Sequence, residues 1–347
     1  MVKPVVCSVL VCTYNRAALL QNTLESLCRQ TLNAGEFEVI VVDDGSEDET
    51  RDMATAFEPR LNLRYAYQRN SGLASARNHA LFLSRGEIVL LLDDDDVASP
   101  KLLEEHGKTH RMYPQDNFAV LGYTSLTPEI AADPVMHFAT EVGRFLFSYP
   151  DIQHGQVLGF SHFWGGRSSC KRKFLLQHGI FNPIFRFGCE DIELAYRLSK
   201  HDFRVVYNGH AVTTMIRPYS FDQFCERLIK QGRSNFVFSQ LHSAPEVRDW
   251  TEVDDIKKWD LLGPAYETFR KSGRQLDAVV RYKQQTGMVT EEDLRLLHEA
   301  FWVAFRASKI KGMAEYALQD EAWCGARHPD RRGSQWLIPL HARRWPG

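Results

Sequence analysis

Hydrophobic positions follow two regimes along the chain. Up to about residue 125, short apolar runs alternate with stretches whose apolar positions recur every three or four residues. Residues 5–12 and 38–42 are valine-rich, and residues 88–92 are five consecutive aliphatics, so each predicts a strand buried on both faces. Leu61, Leu63, Tyr65 and Tyr67 alternate, as a half-buried strand does. Between these runs, Leu19, Leu20, Thr23, Leu24 and Leu27 keep one helical face. Residues 47–57 suit a helix capped by Ser46, and residues 71–83 suit another. A further helix opens after Ser99-Pro100, where proline fits a first turn. Strands alternating with helices predict an α/β fold with a mostly parallel sheet. Ligands in such sheets gather at the carboxyl ends of the strands.

The second regime is less uniform. Residues 125–160 are irregular and rich in Pro, His and Phe, as either an acceptor-facing loop or a plain surface excursion would be. Regular patterning resumes over 161–170 and runs to about Met215. Beyond Ser220 it becomes helical. There Leu294, Leu297, Phe301, Ala304, Phe305 and Ser308 share a face, with Thr290 as cap. The organisation predicted is an α/β region over 1–242, with halves of about 1–125 and 126–242, then a mainly helical region over 243–347.

Composition narrows the function classes. The net charge of −2 supplies no global field for nucleic acid. No apolar run reaches the roughly 18–20 residues of a membrane span. The first apolar run is short and lacks a small-residue cleavage pattern, so it reads as a strand, not a leader. Seven cysteines without paired CxxC spacing read as reduced, buried thiols and suggest the cytoplasm. Residues 323–347 hold five arginines and three tryptophans (Trp323, Trp336, Trp345) against one acid, Asp330. Such a tail suits peripheral contact with an anionic membrane face or a phosphorylated acceptor, or docking on the catalytic region or a second subunit as a homodimer.

Four clusters can carry chemistry. Asp43-Asp44-Gly45-Ser46 closes the second strand, where a carboxylate can accept from a base or ribose; a plain strand-to-helix turn has the same composition. Asp93-Asp94-Asp95-Asp96 ends a buried strand, and adjacent carboxylates repel unless a cation is present. If extension persists, Asp93 and Asp95 share one face and Asp94 and Asp96 the other. Hard oxygen ligands favour Mg²⁺ or Mn²⁺. The stretch Asn70 to Asn78 opens a helix whose N–H groups and Arg77 either face phosphates or belong to a capped surface helix. In Gly188-Cys189-Glu190-Asp191-Ile192-Glu193-Leu194, Glu190 and Glu193 share a helical face while Asp191 points elsewhere. That cluster suits a general base, and equally an acidic first turn complementing the helix dipole.

Cys12-Thr13-Tyr14-Asn15-Arg16, Val41-Val42-Asp43-Asp44-Gly45-Ser46, Gly72 to Asn78, Leu92-Asp93-Asp94-Asp95-Asp96 and Glu190-Asp191-Ile192-Glu193 occur in that order. Together they resemble the family 2 glycosyltransferases over roughly residues 4–240. The resemblance implies a GT-A fold and inverting transfer from a nucleotide-diphospho-sugar, usually a UDP-sugar, with Mn²⁺ or Mg²⁺. It implies a nucleoside pocket lined by Thr13 and Tyr14, with Asn15 and Arg16 beside them and Asp44 on the base. Gly72, Arg77, Asp94 and Glu190 fall on the donor side. Asp93 is turned toward ribose or a metal-bound water, and Asp95 is the direct metal ligand. Asp191 is the general base toward a saccharide, lipid-linked, peptide or small-metabolite acceptor. Trp164, Gly165 and Gly166 resemble the segment beneath the donor sugar, although Trp164 equally suits a core.

Two positions depart from the family pattern. Met215 stands where many relatives carry a histidine, and a thioether is a poor ligand for Mg²⁺. Either His210 supplies that ligand after a register shift, or the metal shell lacks it. Arg167 stands where relatives often place an amide, and suits either the diphosphate, an anionic sugar or a surface salt bridge. Competing readings are a nucleotidyltransferase and a silent nucleotide-sugar-binding module. The first needs a glycine-rich loop after the first strand, which Thr13-Tyr14-Asn15-Arg16-Ala17-Ala18 lacks. The second sits poorly with two intact acidic clusters.

Overall fold

The computed structural model describes residues 5–327, with side chains to residue 319. The Arg/Trp-rich stretch with Trp323, Trp336 and Trp345 therefore lies outside the described side chains.

Four strands form the parallel half of one sheet: β1 (Cys7–Thr13), β2 (Phe37–Asp43), β3 (Leu63–Tyr67) and β4 (Ile88–Asp93), in the order β3-β2-β1-β4. Strand alternation divides their aliphatics between two layers. Leu10, Ile40, Val42, Val89 and Leu91 face α3 (Leu73–Leu83), whose Ala74, Ala76 and Ala80 allow close approach. Val9, Val11, Val39, Val41, Leu90 and Leu92 pack on the Leu20, Leu24 and Leu27 stripe of α1 (Ala17–Leu27). The short helix α2 (Thr50–Thr55) and α4 (Leu102–Met112) complete this part. The helix expected over 47–57 is shorter, and Ser46 does not cap it, because its hydroxyl accepts from the Asn15 N–H instead at 2.8 Å.

Beyond β4 the sheet is mixed. β5 (Asp96–Ala98), β6 (Phe118–Leu126), β7 (Val157–Leu158), β8 (Ser168–Lys171) and β9 (Arg204–Met215) extend it. β8 runs antiparallel to β4 and β6, β6 and β9 are parallel, and β5 and β7 are antiparallel to β9. Parallel pairing thus holds across β3-β2-β1-β4, is interrupted by β8, and returns between β6 and β9. Residues 128–142 are not a plain surface excursion: short helical turns capped by Thr127 and Asp133 bury Val135, Phe138 and Ala139.

Further helices include α5 (Arg172–His178), α6 (Glu190–Ser199), α7 (Phe221–Leu241), α8 (Tyr266–Gln285) and α9 (Glu291–Arg327), with short helical segments at Pro245–Thr251 and Trp259–Leu262 between α7 and α8. Ser220 and Gln223 form a reciprocal capping box on α7. Thr290 caps α9 as expected, accepting from the Asp293 N–H while Asp293 accepts from the Thr290 N–H. The division expected near residue 243 follows α7, yet one aromatic core crosses it. Phe138, Phe221, Phe224 and Leu228 pack with Val280, Leu297, Phe301 and Phe305. Gly232 and Gly312 let α7 and α9 touch backbone to backbone, since a Cβ at either would lie 2.0 Å from a carbonyl oxygen of the other helix. The six described cysteines are free, and no described helix is long and apolar enough to cross a membrane.

Candidate active site

The parallel register sets the site. Thr13 lies opposite Asp43, and Cys12 opposite Asp93, so three motif-bearing strands end side by side. Asn15 turns the chain out of β1 with φ +52°. Its side-chain oxygen accepts from the Glu47 N–H at 2.8 Å, which fastens the loop after β1 to the loop after β2. Tyr14 is left 47% exposed beside this junction.

Asp44 is nearly buried and accepts three hydrogen bonds, from Gln68 Nε2 at 2.7 Å and the Ser71 and Gly72 N–H groups at 2.8 Å. The leading N–H groups of the Asn70 to Asn78 segment are therefore spent on Asp44 and are not open to phosphate. Gly72 has φ +89°, and a Cβ there would meet the Arg186 Cα at 2.9 Å. Arg77 is not an exposed phosphate-seeking side chain. It is 4% exposed and spans Glu190 at 2.6 Å and Asp93 at 3.4 Å, tying the two acidic clusters together.

The acidic run does not stay extended. Asp94 and Asp95 form a turn between β4 and β5, so the expected two-face alternation is lost and each carboxylate meets different partners. Asp94 is buried and accepts from Thr13 Oγ1 and Arg16 Nη1, both at 2.8 Å, while its backbone oxygen accepts from Thr23 Oγ1. Burial pushes its carboxyl up to about 6 against the pull of Arg16. Asp96 is fully buried, with one oxygen near Arg167 (3.4 Å) and Thr213 (3.3 Å) and the other without a partner among the described residues. Burial pushes it up to about 7, and the Asp93 and Asp95 charges add to this against Arg167. These two side chains hold the turn. Asp93 keeps 32% of its side chain open, between Arg167 at 3.1 Å and Arg77. Its carboxyl is raised by burial and by Asp95 and Asp191, against both arginines.

Arg167 is neither on the surface nor free: it is buried between Asp93 and Asp96, with its guanidinium 4.5 Å from the Phe147 ring centre. Met215 pairs with Asp96 through the backbone, but its thioether is buried with Ile130, Met136 and Phe147. His210 is exposed in the bulge of β9, its ring against His154 and roughly 10 Å or more along the strand from Met215. The structure thus does not bring His210 to the acidic run.

Arg217 takes a place that sequence reasoning missed. Its Nε donates to Asp95 Oδ2 at 2.7 Å and its Nη2 to Tyr219 Oη at 2.7 Å. The available signal was its position two residues past Met215, at the end of a strand aimed at the acidic run. Among the described residues, no three His, Cys, Asp or Glu side chains converge on a metal position. A hard divalent ion needs less, since Mg²⁺ uses one or two carboxylates and completes its shell with phosphate oxygens and water. Asp95 Oδ1 takes no hydrogen bond from any described residue, and Asp93 is partly open. These carboxylates fit such an ion.

The second acidic cluster follows two residues at positive φ, Gly188 (+72°) and Cys189 (+66°), which swing the chain into α6. Glu190 is buried, bound to Arg77 through one oxygen, and pushed up to about 7 by burial and then by Asp191. Glu193 is buried against Arg197 (2.8 Å) and His242 (2.9 Å). Asp191 alone of the three stays partly open. It accepts from the Gly165 N–H at 2.6 Å and the Ile192 N–H at 2.8 Å, which fix its orientation.

Gly165 and Gly166 form the floor between Asp191 and Asp93. A Cβ at Gly165 would lie 2.3 Å from Arg77 Nη1, and one at Gly166 (φ +92°) 2.0 Å from Asp93 Oδ2. Trp164 is partly buried, donating its ring N–H to the Ser161 oxygen at 2.8 Å and packing edge-on against Tyr149. The structure thus gathers the β1 loop, Asp44, Asp93, Asp95, Trp164 to Gly166 and Asp191 around one edge.

Comparison with known proteins bears on this arrangement. Residues 8–174 match the family described as Glycosyl transferase family 2. Validoxylamine A glucosyltransferase of Streptomyces hygroscopicus subsp. jinggangensis is 33% identical over 217 residues, covering 56% of this chain and 51% of that protein. The chain therefore spans about half the length of that relative. Among solved structures, the mannosyltransferase PcManGT from Pyrobaculum calidifontis, in complex with GDP-Man and Mn²⁺, has a TM-score of 0.62 at 18% identity, covering 92% of this chain and 90% of that one. TarS of S. aureus in complex with UDP has a TM-score of 0.53 at 19% identity, covering 91% and 92%. At that identity the likeness speaks for the fold, which is GT-A. With this fold, the matched segment and the five motifs in order, residues 8–174 form a glycosyl transferase family 2 region.

Proposed function

We propose that the protein transfers a hexosyl group, with inversion, from a nucleotide-diphospho-sugar to an acceptor hydroxyl, and that the donor is a UDP-sugar. The observation that carries this is the placement of Asp191. It is the one half-open carboxylate of its cluster, and Gly165 and Gly166 join it to Asp93. An acid on the acceptor side and a carboxylate pair on the donor side, with a narrow floor between, suit in-line displacement.

Each residue then has a task. Tyr14 offers its exposed ring to the base. Asp44 has one of about four acceptor positions still free for a base N–H. Asn15 and Ser46 brace that pocket. Gly166 lets the donor sugar lie close to Asp93, and Trp164 borders it. Asp191 takes the proton from the acceptor hydroxyl as that oxygen bonds to the anomeric carbon. The bond to the diphosphate breaks on the opposite face, and a nucleoside diphosphate leaves. When bound, a Mn²⁺ or Mg²⁺ ion held by Asp95 and Asp93 would neutralise charge developing on the departing diphosphate. Arg217 and Arg16 orient Asp95 from the protein side.

The names of a glucosyl- and a mannosyltransferase among the relatives and neighbours support a hexosyl donor. The test is a product analysis over UDP-, GDP- and dTDP-sugars with Mg²⁺ and an acceptor panel. The expected products are a nucleoside diphosphate and a glycoside of inverted anomeric configuration. Pyrophosphate release, or retained configuration, would overturn the assignment.

A further inference from the structure

We propose that the acceptor carries a phosphate group, held by Arg227 with Lys230 and Phe187 at the mouth of the site; this rests on the transfer reading above. Of the arginines around the acidic clusters, Arg16, Arg77, Arg167 and Arg217 are engaged by carboxylates, and Arg186 donates to the Asn70 side-chain oxygen at 2.9 Å. Arg227 is different. It meets no carboxylate among the described residues, and its Nε is buried without a hydrogen-bond partner. Its guanidinium lies between two rings, 5.7 Å from the Phe187 centre and 5.9 Å from the Tyr219 centre. The acids on its own helix are taken elsewhere, Asp222 by Arg270 and Arg274, and Glu226 by Arg270.

Those two rings define the location. Tyr219 is bound to Arg217, which holds Asp95. Phe187 is 36% exposed and stands four residues before Asp191. Ser234 of α7 donates to its backbone oxygen at 2.5 Å. Arg227 thus stands between the donor-side carboxylate and the loop that carries the base. Lys230, one turn along α7 and exposed, has its Nζ 5.7 Å from the same Phe187 ring. A guanidinium with an unused donor, a second cation and an exposed ring flat enough for a sugar face make a cradle for a sugar or polyol bearing phosphate.

A phosphate here has two possible owners, the acceptor and the donor diphosphate, and UDP separates them. Ligand-observed NMR titrations of glucose 6-phosphate and of glucose would be run on the full chain saturated with UDP and Mg²⁺. We expect glucose 6-phosphate to bind at least tenfold more tightly than glucose. Arg227→Gln should remove that preference, and Lys230→Gln should reduce it about threefold, with UDP affinity unchanged in both. Equal binding of the two sugars, no measurable binding of glucose 6-phosphate, or loss of UDP affinity in Arg227→Gln would each overturn the proposal. Failure of the wild type to bind UDP at all would instead strike the transfer reading.

Discussion

Gly166 shows how tightly single residues constrain this site. Its φ of +92° is one that L side chains rarely adopt, and a Cβ would overlap the Asp93 carboxylate. Gly166→Ala should therefore lower stability by about 2 kcal/mol or more, and it should displace Asp93. Thermal unfolding and UDP calorimetry check both effects; an unchanged melting temperature with unchanged UDP affinity would refute the account of the floor. The motif residues themselves were legible from sequence, because they cluster at strand ends with distinctive chemistry. Their partners were not. Arg77 reaches Glu190 across 113 residues, and Arg217 reaches Asp95 across 122. Spacing along a chain says nothing about such pairs until the sheet order is known. Asp94 and Asp96 illustrate the same limit, since alternation assumes an extended strand and the chain turns at Asp94.

At the scale of elements, β1, β2, β4, α1 and α3 could be read from the sequence because burial on one or both faces leaves a periodic record. The helix after β2 was misjudged because the Ser46 hydroxyl serves Asn15. β8 and β9 were read as regular patterning, but their direction and order depend on long connections. One element carries a pH signature. His106 and His110 lie one turn apart on α4, both hydrogen-bonded to the Ser169 hydroxyl of β8, at 2.8 and 2.9 Å. Burial pushes both down to about 3. Their folded values lie below the ordinary value of about 6.5, so between about pH 6.5 and 3 the unfolded chain binds more protons and stability falls with acid. The raised carboxyls of Asp96 and Glu190 act in the opposite sense, losing stability as pH rises toward 7. Comparing wild type with His110→Gln isolates the histidine. Relative to the variant, the wild type should lose up to about 3 kcal/mol between pH 7 and 4.5. Denaturant melts at each pH measure this, and parallel pH profiles would contradict it.

Across the whole molecule, the two acidic clusters sit on opposite sides of a floor that β8 and its preceding loop provide. They are joined by Arg77 and surrounded by arginines that offset much of their charge. The described helices α8 and α9 are part of the same body, since Val280, Leu297, Phe301 and Phe305 complete the core around α7. Asp95 keeps one oxygen free of hydrogen bonds from the described residues, which is the position expected to meet a divalent ion. Transfer assayed after EDTA treatment should fall more than tenfold and recover with Mn²⁺ or Mg²⁺. Full activity in chelator would assign the charge on the diphosphate to the arginines alone.

The account turns on Asp191 as the base that activates the acceptor. The most direct measurement is single-turnover transfer by Asp191→Asn beside UDP-sugar binding by the same protein. The substitution keeps the side-chain shape and removes the proton acceptor. Transfer should fall at least about 100-fold, the usual scale for a general base, while donor affinity stays within about twofold. Transfer near the wild-type rate with intact donor binding would contradict the mechanism at its centre.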